Sequence, residues 1–472
     1  MSEVDVAAEV EEGIHHPKKD VIEKPYPNAI YAWYVVAVLV LAYTFSFIDR
    51  QILSLLVGPI KRDLGISDTQ MSLLQGFAFA AFYCVAGLPI GRLVDRYHRF
   101  NIIALGVFVW SLMTALCGTA RSFLMLFVFR AGVGVGEAAL SPAAYSIIAD
   151  YFPPKRLGFA LGVYGMGVYI GAGLALIIGA AVIALVSEGG SATLPLIGEI
   201  YAWQITFLVV GLPGILVALW VWTLREPERR GHIRQEVGTD GVSRRVEVPV
   251  AEVFGYMGKN WRTMVPLNLC YALSAMMAYG VAAWIPTLFV RTHGWSYPEA
   301  GFWYGIIIVI FGTSGVIAGG WMGDFLTSKG IRNGRMMVCA FTGLAAFPFT
   351  VAYPLLDDPW IALLLLCPST FFATFTTGAG PSALQELMPN QMRGFASAVL
   401  IFVVTIIGLG LGPTSIALVT DYVYGDEMML RYSLAVVPAI VLTLAITAGL
   451  LGLRPYIGSL DYLNRWSAEN EK

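Results

Sequence analysis

Four ionisable side chains stand inside apolar stretches of this chain. Asp49 and Arg50 lie in Phe45-Ser-Phe-Ile-Asp-Arg-Gln-Ile-Leu53, and Arg130 and Glu137 bracket Ala131-Gly-Val-Gly-Val-Gly136. A charge at the centre of a bilayer costs roughly 2.5–3.5 kcal/mol on insertion scales, so such residues usually face a wet cavity and mark an ion or substrate path. Arginines can hold an anion. A carboxylate that moves between a dry site and an arginine neighbour can take up and release a proton. The competing reading is a static buried salt bridge. Desolvation offsets most of its Coulomb gain, which makes it a weak device for stability.

These four residues must be positioned by long apolar helices. Only 13% of the 472 residues are charged, and 57% are hydrophobic. Apolar runs of about 20 residues, long enough to cross a hydrocarbon core of about 30 Å, recur along the chain. Expected spans are 31–58, 71–94, 100–119, 122–148, 157–186, 202–224, 262–290, 298–322, 335–355, 359–386, 394–420 and 432–453. At 1.5 Å rise per residue, Asp49-Arg50 sits about 27 Å along the first helix, and Arg130 about 10 Å inside the outer end of the fourth. Glu137 is seven residues beyond Arg130, nearly two turns, so the two share a face. Gly132 and Gly136 form a small-xxx-small stripe that lets another helix approach. The glycines of span five (Gly162, Gly165, Gly167, Gly171, Gly173) and of span eleven (Gly408, Gly410, Gly412) predict close packing or bending where two bundles meet.

Charge placement sets orientation. Of the 30 Lys and Arg, 23 fall on the side of the chain termini, five on the other (Lys61, Arg62, Arg121, Arg291, Arg431), and Arg50 and Arg130 within the membrane. Both termini are therefore expected in the cytoplasm, with the chain in a plasma or bacterial inner membrane. Net charge −2 gives no basis for nucleic-acid binding. The five cysteines form no CxxC pair and read as small core residues. His15, His16, His98, His232 and His293 fall in tails or loops. No metalloprotease helix, phosphate-cradling loop or nucleophile elbow appears, which argues against an enzyme and against a metal or other cofactor. The coupling ion expected here is the proton.

The sequence repeats. Gly91-Arg-Leu-Val-Asp95 follows span two, and Gly320-Trp-Met-Gly-Asp324 follows span eight. Leu224-Arg-Glu-Pro227 echoes Leu453-Arg-Pro455 at the same offset. Pro153-Pro-Lys-Arg156-Leu-Gly158 after span four matches Pro389-Asn-Gln-Met-Arg393-Gly394 after span ten. A repeat of this kind predicts two pseudo-symmetric six-helix bundles. The expected division is a tail over 1–30, a first bundle over 31–224, a polar linker over 225–261, a second bundle over 262–454, and a C-terminal tail over 455–472.

With these paired loops, twelve spans and long central linker, the chain resembles the major facilitator superfamily from about Tyr31 to Pro455. The resemblance implies an all-α polytopic fold and a cytoplasmic gate at the loop after span two. Its residues would be Gly91, Asp95, Arg96 and Arg99, with Asp150 and Arg156 as partners and Asp324 as the second-half counterpart. Asp95 would cap the amino end of span eleven, where unpaired N–H groups and the helix dipole favour an anion.

Phe-Ile-Asp49-Arg50, together with Arg130 through Glu137-Ala, resembles the spinster subgroup of that superfamily. Its members are transporters of lysolipids and sphingosine phosphate, with prokaryotic relatives. The resemblance implies proton coupling through Glu137 and Asp49 and headgroup binding by Arg50 and Arg130. Polar candidates for the cavity wall are Tyr83, Tyr164, Tyr169, Asn268, Tyr271, Ser274, Thr374 and Thr377. The expected function is a proton-coupled, alternating-access transporter, monomeric in the bilayer, for a lysophospholipid or related amphipathic phospholipid. The alternative substrate is a small organic anion.

Overall fold

The computed structural model describes residues 26–188, 192–194, 198–229, 235–237, 243–245, 249–389 and 391–470. The N-terminal tail through residue 25, with His15 and His16, lies outside the described residues, as do linker residues 230–234 (with His232), 238–242 and 246–248 and the side chain of Asp95.

Among the described residues, twelve helices are long and apolar enough to cross a membrane. Spans one to six are Ala29–Leu55, Asp68–Val94, Arg99–Cys117, Phe123–Tyr151, Phe159–Leu185 and Ala202–Trp222. Spans seven to twelve are Trp261–His293, Tyr297–Ser328, Gly334–Leu355, Pro359–Leu387, Arg393–Tyr424 and Glu427–Ala468. An even number of crossings returns the chain to the side on which it started, called the inner side below. Among the described residues the regular non-helical structure is two short hairpins, Ala192–Leu194 with Gly198–Ile200 and Gln235–Val237 with Ser243–Arg245.

Local chemistry fixes where the inward-running spans begin. Each even-numbered span starts at the outer side with a side chain accepting a backbone N–H. The acceptors are Ser67, Ser122, Gln204, Ser296, Asp358 and Asp426. Such caps satisfy the N–H groups that the first helical turn leaves free. The turn before span two is Gly65-Ile-Ser67, and its counterpart before span eight is Gly294-Trp-Ser296, at the offset that relates Gly91 to Gly320. Both glycines take positive φ, 63° and 70°, a conformation that costs glycine little.

Span four is two helices, Phe123–Glu137 and Leu140–Tyr151. Span ten breaks likewise, into Pro359–Ala373 and Phe375–Leu387. The breaks at Ala138 and Thr374 are related by the same offset as Pro153 and Pro389. Matched interruptions in the two halves of a transporter mark its binding level. Wide π-helical turns also interrupt span two (Leu73–Phe77), span eight (Ile308–Gly312) and span eleven (Val404–Gly410 and Val419–Tyr424).

Apolar packing differs between the two sides. Towards the outer side one continuous core joins the halves, with Ile52 and Leu55 of span one, Leu176 and Ala180 of span five, Trp284 and Leu288 of span seven, and Tyr304 and Ile307 of span eight. Towards the inner side the halves keep separate cores. One is built on Val35, Ile147, Tyr164 and Val221, the other on Leu267, Leu387, Met392 and Tyr456. Glycines follow the same division. A Cβ at Gly305 would lie 2.7 Å from the Gly173 carbonyl oxygen, and one at Gly76 would collide with that of Leu409. Gly162, Gly165, Gly87, Gly91 and Gly394, nearer the inner side, face open space. The expected close packing along span five therefore holds at Gly173, while Gly167 and Gly171 pack on span one. The halves are pressed together outside and separated inside.

Gly305→Val should wedge spans five and eight apart. Overpacking of this kind costs about 1–3 kcal/mol. The expected result is a lower midpoint of thermal unfolding in detergent, with Gly165→Val, at an open position, as the matched control.

The last helix runs from Leu430 to Asn470, well past the span expected to end at residue 453. Pro455 does not stop it, because the apolar face continues. Tyr456, Leu460, Leu463 and Trp466 pack with Tyr256 of the short linker helix Val250–Lys259. Tyr456 donates to the Ala383 carbonyl (3.0 Å) or to Glu386 (2.8 Å), and Ser459 and Thr263 share a hydrogen bond of 2.8 Å.

Candidate functional site

Glu137 is the last residue before the break in span four. The three glycines preceding it let neighbouring helices close in. A Cβ at Gly134 would lie 2.5 Å from the Phe79 carbonyl oxygen of span two, and one at Gly136 would lie 2.6 Å from the Trp110 nitrogen of span three. The side chain points to span one. Its Oε2 accepts Ser46 Oγ (2.7 Å), Arg50 Nε (2.7 Å) and Arg50 Nη2. Oε1 has no partner among the described residues. Three donors crowd one oxygen while the other has none.

Arg50 forms the wetter half of the pair. Its side chain keeps 17% exposure against 1% for Glu137. The guanidinium lies 4.4 Å from the Phe79 ring centroid, 4.9 Å from that of Phe47 and 5.8 Å from that of Tyr83. Aromatic faces attract a cation most strongly when water is excluded. Tyr83, a sequence candidate, thus flanks the pair. Tyr164 is buried behind it, stacked on Tyr43 at 4.8 Å and edge-on to Tyr145 at 5.5 Å. Tyr145 is exposed and lies eight residues, about two turns, past Glu137 towards the inner side. Ser46, Tyr43 and Tyr145 escaped sequence reasoning. Their helical spacing from Arg50 and Glu137 was the available signal.

Asp49 and Arg130 occupy a drier layer. Both are buried. Arg130 donates to two backbone carbonyls, those of Asp49 (2.8 Å) and Leu74 (3.4 Å), and so ties spans one, two and four together. Its Nη2 and Asp49 Oδ1 have no hydrogen-bond partner among the described residues. Arg130 and Glu137, expected on one face, engage different partners.

The second half is less polar. Tyr169 of span five donates to Thr377 of span ten at 3.0 Å, bridging the halves near mid-span. Ser274 and Thr374 donate to carbonyls of their own helices, and Asn268 donates to Met264 at 2.7 Å. The Tyr271 ring packs over Gly380. Phe371, Phe372 and Phe375 form an aromatic cluster beside the span-ten break.

An outer latch, absent from the sequence expectations, joins the two halves on the outer side of these residues. Asp68, fully buried, receives Lys61 Nζ at 2.5 Å and both terminal nitrogens of Arg291 at 2.6 and 2.8 Å. Glu427 bridges the same two cations at 2.6 and 3.0 Å. Asp421 accepts the backbone N–H and the hydroxyl of Thr69, both at 2.7 Å. Gln75 donates to the Ala283 carbonyl at 3.2 Å, and the Gly58 N–H donates to Tyr297 at 3.0 Å. Apart from Lys61–Asp68 and Arg291–Glu427, these bonds join one half to the other.

The residues expected to form an inner-side gate are arranged differently. Arg99 is buried and donates to Asp150 (2.5 Å), Glu226 (2.5 Å), Ser146 (2.8 Å) and the Pro227 carbonyl (3.2 Å). Glu226, at the start of the linker, also caps the Arg99 N–H that opens span three. The counterpart in the second half is Arg335, on Asp324 at 3.0 Å and Glu386 at 3.2 Å. Arg99 and Arg335 stand at the offset that relates the two span breaks, and so do Asp150 and Glu386. Both networks stay within one half. Arg96 and Arg156 are exposed, and Gly91 faces open space. The cap expected from Asp95 rests on a side chain outside the described residues.

The chain is 26% identical over 400 residues to an MFS-type efflux pump of Mycolicibacterium smegmatis, covering 84% of this chain and 86% of that one. It is 24% identical over 403 residues to a probable galactarate/D-glucarate transporter of Bacillus subtilis, covering 77% and 80%. It is 26% identical over 344 residues to a probable L-galactonate transporter of Escherichia coli, covering 71% and 72%. Among solved structures, a bacterial homologue of the human lysosomal transporter spinster, inward-facing and unoccupied, superposes with a TM-score of 0.74 at 28% identity, covering 92% of this chain and 98% of that one. The sequence pattern of the Major Facilitator Superfamily matches residues 39–413. With twelve spans in two broken, repeated halves around a buried charge pair, the chain belongs to the Major Facilitator Superfamily and is a membrane transporter resembling its spinster branch.

Proposed function

We propose that the protein is a proton-coupled carrier of small organic anions, with sugar acids as the lead substrate class. The observation that carries this reading is the Arg50–Glu137 pair, set at the break of span four with its arginine on the wetter side. Substrate carboxylate and Glu137 compete for one guanidinium. When the anion takes Arg50, Glu137 loses its counter-charge in a dry site. A carboxylate left unpaired in such a place favours the protonated form. Anion and proton therefore bind together, and neither binds well alone. Arg130, committed to carbonyls, positions span one rather than meeting substrate. Asp49, next in the chain to Arg50, is the second proton carrier. Tyr83, Tyr145, Tyr169 and Thr377 supply hydroxyls suited to a polyol backbone. The galactarate and galactonate relatives support this class over the lipid first expected. With 23 of 30 basic residues on the inner side, that side faces the cytoplasm of a plasma or bacterial inner membrane.

A lysophospholipid is the second reading, favoured by the Phe371, Phe372 and Phe375 cluster of the second half and by the likeness to the spinster homologue. Proteoliposomes with an imposed pH gradient separate the two. Uptake of a labelled hexarate or hexonate that collapses when a protonophore removes the gradient is the expected result. Uptake of lysophospholipid in its place, with the sugar acids inert, would overturn the assignment.

A further inference from the structure

Away from the Arg50–Glu137 pair, an apolar groove of about 400 Å³ runs between spans seven and twelve at the inner side. One wall carries Trp261, Val265 and Leu269, and the other Ala448, Leu451 and Pro455. The spacings, four residues on one helix and three to four on the other, put each set on a single helix face. Val265 is 55% exposed and Leu451 66%. Pro266 and Pro455 both border the groove. Neither has an N–H, so the carbonyls four residues earlier, those of Arg262 and Leu451, lose their usual helical donor.

The charges lie at one end. Arg262 lines the groove beside Trp261, its guanidinium 5.7 Å from the indole centroid. Arg454 precedes Pro455, and Lys259 ends the short helix just before Trp261; both are exposed. Among the described residues no carboxylate pairs with any of the three. The nearby acid Asp461 is engaged by Arg332 at 2.5 Å. An exposed tryptophan at the first turn of a span marks headgroup level. Uncompensated cations at that level, above a hydrocarbon-lined cleft, form the basic pocket between transmembrane helices that recognises anionic lipid heads.

We propose that this groove is a binding site for one anionic phospholipid of the inner-side leaflet, its phosphate at Arg262 and Arg454 and one acyl chain along Val265, Leu269 and Leu451. The site is separate from the Arg50–Glu137 pair and does not depend on what the protein carries. Its occupant would staple span seven to span twelve beside the Thr263–Ser459 bond, and so brace the second half.

The test is native mass spectrometry of the full-length protein in detergent, titrated with phosphatidylglycerol or phosphatidylcholine of identical chains, with thermal unfolding as a parallel readout. Preferential retention of one phosphatidylglycerol and a matching rise in unfolding temperature are expected. Each basic residue near an anionic headgroup contributes about 1 kcal/mol, so Arg262→Gln should weaken retention about fivefold and the double change with Arg454→Gln about 25-fold. Leu451→Trp keeps every charge but fills the groove, and should abolish retention. Equal retention of the two lipids would overturn the proposal. So would a phosphatidylglycerol preference that survives Arg262→Gln and Leu451→Trp.

Discussion

Glu137→Gln abolishes proton-driven accumulation and leaves substrate binding within about tenfold, or 1.4 kcal/mol, of the parent. The amide keeps the size of the carboxylic acid and can still accept from Ser46 and Arg50, the partners of Oε2. It carries no titrating proton, so it mimics the protonated carrier permanently. The neutral amide leaves the Arg50 charge uncompensated, so an anion competes for it more readily. Substrate exchange down its own gradient should continue, and the dependence of uptake on external pH should flatten. Proteoliposome uptake with and without a pH gradient, alongside equilibrium binding, measures both effects. Parental accumulation by the variant would remove Glu137 from the coupling step and leave Asp49 to carry it.

The second large effect is expected at the outer latch. Asp68 is fully buried and meets Lys61 and Arg291, which come from different halves. Removing one member of a buried ion pair costs about 3–5 kcal/mol when the partner is left unpaired; Glu427 stays on both cations, so the low end of that range is expected. Here the molecule has an escape, since opening the outer side rehydrates both cations. Asp68→Asn should therefore move the equilibrium towards the outward-open state. A loss of about 3 kcal/mol shifts a two-state ratio roughly a hundredfold. Spin-label distances between the outer turns of the two halves would lengthen, and those at the inner side would shorten. Asp357→Asn is the control, because its pairing with Arg431 is exposed and lies within one half. Unchanged distances in Asp68→Asn would mean that the apolar core and the glycine contacts hold the outer side shut without the charges.

Sequence reasoning located the twelve spans to within about six residues at each end, apart from the end of the last. It erred there because Pro455 reads as a stop, whereas the tail continues an apolar face that only a folded partner, Tyr256, makes worth burying. The charge cluster was legible because membrane helices rarely carry charge. Its pairing was not. Periodicity placed Arg130 and Glu137 on one face, yet it carries no information on whether an arginine will find a carboxylate or two carbonyls. The latch was hidden for the opposite reason. Lys61, Asp68, Arg291 and Glu427 sit at span ends, where charge is ordinary and the burial that gives it force comes from tertiary contact. One signal was available and passed over, the paired Gly65-x-Ser67 and Gly294-x-Ser296 turns that hold the latch residues.

The matched breaks in spans four and ten have a mechanical consequence. A continuous rod transmits a tilt along its full length, but a jointed one can bend at the elbow. With both elbows near the depth of Glu137 and Thr374, the lower limbs of these two helices can swing about the bound solute while their upper limbs stay clamped. Occupancy of the site can then reshape the inner doorway before the outer one has begun to part.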